Sequence, residues 1–204
     1  MTLLVTGFGP FGKVERNPSE LIARELDGAR IAGHDVAGRI LPVSAESTPG
    51  AVRAALEETE PALALLLGVA TGRAALSAER VAVNVFDFDE PDNDGARPVD
   101  IPIEPDGPAA YFATLPLRAI LDAWKRADVP GYLSDTAGTY LCNAALYTAL
   151  HATAEEARPV GFVHLPSLPA EVAGHRPPQP SMPLETQIEG ARIALEATVT
   201  ALVA

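Results

Sequence analysis

The segment Leu63-Ala-Leu-Leu-Leu-Gly-Val69 carries no polar side chain. A strand of that kind has no face to offer water, so it suits a sheet covered on both sides. The rest of the chain supplies sheet neighbours and covering layers. Leu3 to Thr6, Val36 to Leu41, Val81 to Phe86, Tyr132 to Ser134 and Val160 to Leu165 read as further strands. Helices are expected from Pro18, with Asn17 as N-cap, and from Thr48 to Thr59, with Thr48 as cap and Pro49 at the first helical position. Others are expected over Leu117 to Ala127, Asn143 to His151 and Leu184 to Leu202. Strands spaced by helices predict an α/β fold: one domain over residues 1–204, with a mostly parallel twisted sheet and helices on both faces.

Composition narrows the partners. The formal charge of −12 disfavours nucleic acid and anionic lipid, whose recognition rests on clustered Lys and Arg. No stretch approaches the ~20 apolar residues that span a bilayer. The start, Met1-Thr-Leu-Leu-Val-Thr-Gly7, has no basic segment of the kind that opens a signal peptide, and the expected location is cytoplasmic. The single cysteine excludes an internal disulfide and a cysteine-based structural zinc site, which fits a reducing compartment.

That cysteine, Cys142, stands where small and turn-forming residues give way to a helical pattern. The positive end of a helix favours a thiolate, and with it use as a nucleophile. His164 lies near the C-terminal end of the strand Val160 to Leu165, and open α/β sheets bind ligands beyond those ends. Histidine can take a thiol proton and return it. Glu79, the acid just before the strand that starts at Val81, is the candidate to orient the imidazole.

Two motifs point elsewhere. Gly7-Phe-Gly-Pro-Phe-Gly12 matches the dinucleotide fingerprint and follows a strand, so a nucleotide-dependent oxidoreductase is one alternative. The fingerprint needs its glycines to open the helix, whereas Lys13 to Asn17 intervene here, and Phe8 and Phe11 would crowd a pyrophosphate. Glu90-Pro-Asp-Asn-Asp-Gly95 imitates the start of a calcium loop, but the twelfth position is Ile101 where a bidentate Glu is required. No metal and no cofactor are assigned. Asp87 to Pro108 and Pro166 to Pro183 read as long functional or interface loops, and His34, His151 and His175 as surface residues without partners.

Taken together, Val5-Thr-Gly-Phe-Gly-Pro-Phe-Gly12 with Asn17-Pro-Ser19, Glu79-Arg-Val-Ala-Val-Asn84, Asp92-Asn-Asp-Gly95 with Pro98, Gly138-Thr-Tyr-Leu-Cys-Asn143 and Phe162-Val-His-Leu-Pro166 resemble the class I pyroglutamyl peptidases, or pyrrolidone carboxyl peptidases. The resemblance implies an α/β/α sandwich and a cysteine exopeptidase that cleaves after an N-terminal pyroglutamyl residue of peptides. It implies Cys142, His164 and Glu79 as catalytic residues, with Phe8, Phe11, Asn17, Tyr140 and Leu141 binding the substrate ring. It also implies a homo-oligomer, tetramer or dimer. The chain departs from the family pattern at Val69, Asp89, Glu90 and Ser167, where members often carry glutamine, arginine, an apolar residue and an aromatic. Those departures keep two alternatives in view, a hydrolase of a related lactam or acyl amide and a catalytically silent binding protein.

Overall fold

The computed structural model describes residues 1–12, 14–156 and 158–202. The elements run β1 (Thr2–Phe8), α1 (Pro18–Leu26), β2 (Arg30–Ile31), β3 (His34–Leu41), α2 (Thr48–Thr59), β4 (Leu63–Val69), β5 (Leu76–Glu79), β6 (Val81–Val83) and β7 (Ala110–Phe112). They continue with α3 (Leu117–Arg126), β8 (Gly131–Ser134), α4 (Leu141–Ala152), β9 (Val160–Leu165), α5 (Pro169–Val172) and α6 (Leu184–Leu202). Seven strands form one sheet in the order β2-β3-β1-β4-β9-β5-β8. Neighbours are parallel except at β2/β3 and β5/β9.

The apolar run Leu63–Val69 is fully buried as the central strand β4, and its side chains divide between two cores. Leu63, Leu65 and Leu67 join Leu3, Ile22, Trp124 and Leu195 on the face covered by α1, α3 and α6. Ala64 and Leu66 join Leu4, Val52, Leu146 and Phe162 on the face covered by α2 and α4. The period-2 alternation of a strand thus splits one continuous apolar segment between two helical layers.

Several elements differ from the sequence expectation. Thr48 is the first helical residue of α2 rather than its cap, and its hydroxyl donates to the Pro42 carbonyl. Leu76–Glu79 is a strand although it contains Ser77 and Glu79, because both polar side chains find buried partners. The strand beginning at Val81 stops at Val83 and pairs with β7 in a separate two-stranded sheet. Asn143 accepts from Val83 N–H and donates to the Val83 and Val85 carbonyls, while Asn84 bonds Glu104 and Gly107, so the chain is turned aside there. The proline-rich segment after Leu165 includes the one-turn helix α5. His151 is not a partnerless surface residue: its Nδ1 is 2.8 Å from the Tyr111 hydroxyl and its ring stacks on Tyr147.

Candidate active site

The carboxyl ends of β1, β4 and β9 open into a cavity of about 870 Å³. Phe11, Val14 and Pro18 line it after β1, Val69, Thr71 and Gly72 at the end of β4, and Ser167, Leu168, Glu171, Val172, His175 and Gln179 after β9. Asp87, Asp89, Glu90 and Pro91 and the turn Gly138 to Tyr140 complete the wall. His175, expected as a bystander, is part of this lining.

The acidic loop is tied to the turn before α4. Asp87 N–H donates to the Thr139 carbonyl, the Thr139 hydroxyl donates to the Asp87 carbonyl at 2.6 Å, and the Tyr140 hydroxyl donates to the Pro91 carbonyl. Phe88 packs on Tyr140 with ring centroids 4.3 Å apart. Asp92 accepts from the N–H groups of Ala45, Asp94 and Ala96, so its carboxylate organises the loop.

Helix α4 begins at Leu141, two residues before its expected start, which places Cys142 inside the first turn. The thiol rests over Gly68 of β4: a Cβ on Gly68 would stand 2.7 Å from Cys142 Sγ and 2.8 Å from the Phe162 ring. Gly68 lies directly across from His164 in the β4/β9 register, and Ser77 lies across from it in the β5/β9 register. His164 Nδ1 is 2.8 Å from Glu79 Oε1. With the carboxylate ionised, the hydrogen belongs on Nδ1 and Nε2 is left as the acceptor. Arg73, in the turn after β4, donates through Nη1 to Glu79 Oε1 at 2.7 Å and to Ser77 Oγ at 2.5 Å.

Burial shapes the ionisation of all three central groups. It pushes the Cys142 thiol up to about 12, with the nearby Glu79 charge adding to the rise and Arg73 opposing it. Desolvation thus opposes the pull of the helix end on the thiol. Burial also lowers the His164 imidazole, against the opposing pull of Glu79. For Glu79, burial raises the carboxyl, but hydrogen bonding and charge from His164, with Ser134 and Arg73 behind them, hold it below its ordinary value.

The five residues expected around the substrate ring are not equivalent. Phe11 and Tyr140 line the cavity, with ring centroids 6.4 Å apart. Phe8 and Leu141 are buried in the core behind it. Asn17 is buried, and its amide caps α1 by accepting from Ser19 N–H and the Ser19 hydroxyl while donating to the Gly9 carbonyl. The dinucleotide-like glycines serve packing: a Cβ on Gly7 would collide with the Ser19 backbone, so strand and helix meet there without room for a pyrophosphate.

The pyroglutamyl peptidase family model matches residues 1–201. The chain belongs to that family. Its members are cysteine peptidases that remove N-terminal pyroglutamate, and this chain is one of these enzymes. The pyrrolidone-carboxylate peptidase of Pyrococcus furiosus is 41% identical over 99% of the chain and 100% of the relative. That of Deinococcus radiodurans is 46% identical over 96% and 93%. Among solved structures, a single-residue variant of the P. furiosus pyrrolidone carboxyl peptidase superimposes with a TM-score of 0.96 at 40% identity, covering 99% of this chain and 100% of that one. The Thermococcus litoralis pyrrolidone carboxyl peptidase gives 0.95 at 39% identity, covering 98% and 94%.

Arg73 and Gly68 were missed by sequence reasoning. Gly68 sits in the apolar run as an ordinary small residue, and only the approach of Cys142 and Phe162 reveals its role. Arg73 stands six residues before Glu79, a spacing with no meaning until β5 turns back along β9.

Proposed function

We propose that Cys142, His164 and Glu79 perform the cleavage. The observation that carries this reading is the buried His164–Glu79 hydrogen bond beside Gly68, over which the Cys142 thiol rests. Cys142 Sγ attacks the carbonyl carbon of the pyroglutamyl residue while His164 Nε2 takes the thiol proton. The tetrahedral oxyanion draws on the Cys142 backbone N–H at the start of α4. As the intermediate collapses, His164 returns the proton to the leaving amine and a thioester remains. Water, deprotonated by His164, then hydrolyses the thioester and releases pyroglutamate. Glu79 holds the imidazole in the required tautomer and balances its charge when it is protonated.

Phe11 and Tyr140 give the lactam ring apolar contacts, while Phe8, Leu141 and Asn17 act by fixing the walls behind them. A neutral, flat lactam suits the apolar faces of Phe11 and Tyr140. The test is chromophore release from a pyroglutamyl amide at about pH 7 to 8, under reducing conditions. Wild type should turn over and Cys142→Ser should not; equal rates would remove the thiol from the mechanism.

We also infer a cytoplasmic enzyme, which the lone thiol supports, and a homo-oligomer of two or four copies. No described helix is long and apolar enough to cross a membrane. Exposed Phe112 on β7 and Tyr132 on β8 are suited to contact between copies. Cell fractionation and sedimentation equilibrium test the two statements.

A further inference from the structure

Arg73 has no task in the chemistry above, yet its side chain is only 26% exposed and its guanidinium is hydrogen bonded to two fully buried polar residues. Ser77 and Glu79 are two apart on β5 and so project from the same face of the sheet. One nitrogen, Nη1, reaches both of them, while Ser77 lies opposite His164 in the sheet and Glu79 is hydrogen bonded to it. The same carboxylate oxygen, Oε1, therefore serves both the guanidinium and the imidazole.

We propose that Arg73 is a positioning residue of this peptidase: by bridging Ser77 and Glu79 it fixes the carboxylate against His164 Nδ1 and keeps that carboxylate ionised away from water. The inference rests on the assignment of Cys142, His164 and Glu79 made above. A buried carboxylate with no cation beside it tends to take up a proton, and a carboxyl group free to rotate would release the imidazole from the orientation its Nδ1 hydrogen bond sets. Among the described residues, the charged groups acting on His164 are Glu79 from β5 and Arg73 from the turn after β4, while Cys142 from α4 lies over Gly68, the neighbour of His164 across the sheet; Ser77 and the Phe162 ring, 4.7 Å away between centroids, are neutral. Burial lowers the imidazole most, Glu79 opposes it, and the Arg73 charge adds to the lowering, which favours the neutral, basic form.

Arg73→Met and Arg73→Lys, compared with wild type across pH on a pyroglutamyl amide, test this. Removing the cation makes protonation of the Glu79–His164 pair easier, so in Arg73→Met the acid limb of kcat/KM moves to higher pH. Its kcat falls by about a hundredfold while KM changes little. Lysine can present two N–H donors from one nitrogen, so Arg73→Lys returns the acid limb to the wild-type position and restores most of kcat. Imidazole titration of His164, followed by NMR in a Cys142→Ser background with and without Arg73→Met, reports the same shift in the absence of turnover. An unmoved His164 titration, or an Arg73→Met enzyme with wild-type rate and profile, overturns the proposal. If Cys142→Ser or His164→Ala instead retains turnover, the underlying catalytic assignment has failed, and the Arg73 inference with it. Matching far-ultraviolet circular dichroism and melting temperature separate a local effect from a loss of fold.

Discussion

Cys142 and His164 are shifted in opposite directions for one reason: each is costly to charge inside the protein, so the thiol rises and the imidazole falls. This has a consequence for stability. The folded state holds the Cys142 proton to about pH 12 against an ordinary value of 9.0, so it binds more protons than the unfolded chain between those values. Stability from this group is full below about pH 9 and declines as pH rises towards 12. His164, lowered from 6.5, and Glu79, lowered from 4.5, act at the other end: their contribution is lost as pH falls below those ordinary values. Urea midpoints measured from neutral to alkaline pH should fall less steeply for Cys142→Ser than for wild type, and parallel curves would contradict the raised thiol. At this scale Cys142, His164 and Glu79 were legible in the sequence because each lies at or near an element boundary beside a distinctive pattern. Arg73 and Gly68 were not, because their roles depend on which residues face them across the sheet.

Among the elements, α1 shows how a family motif can act through structure. Asn17 caps the helix, and its amide also holds the Gly9 carbonyl, so one side chain connects the helix start to the turn that carries Phe11. Asn17→Ala should lower the unfolding free energy by about 1 to 2 kcal/mol, read from urea denaturation. It should also raise KM for the pyroglutamyl amide more than it lowers kcat, because the cavity wall loosens while the thiol and imidazole stay in place. A stability loss with unchanged KM would confine Asn17 to capping. The helices and long strands were readable, since their periodicity and punctuation repeat over many residues. Strands β5 and β7 were not: each is short, and β5 carries polar residues whose partners lie on other elements.

Over the whole molecule the charge of −12 is not spread evenly with respect to the site. Asp87, Asp89, Glu90 and Glu171 all line the cavity. A cavity walled by carboxylates raises the local concentration of cations, an effect that salt screens. Peptides with arginine after pyroglutamate should therefore show higher kcat/KM than those with glutamate, and the ratio should shrink between about 0.05 and 0.5 M salt. A ratio indifferent to salt would mean that these carboxylates do not act on the substrate as a field. The sequence by itself determined the α/β architecture and offered Cys142, His164 and Glu79 as candidates for nucleophile, base and acid partner, because apolar periodicity and helix punctuation are local properties of the chain. Only the tertiary structure decided the burial that pushes the thiol up, the packing roles of Gly7 and Gly68, and the link from Arg73 to Glu79. Desolvation, close approach and ion pairing depend on atoms brought together from distant parts of the sequence, and the sheet order β4-β9-β5 is what brings them there.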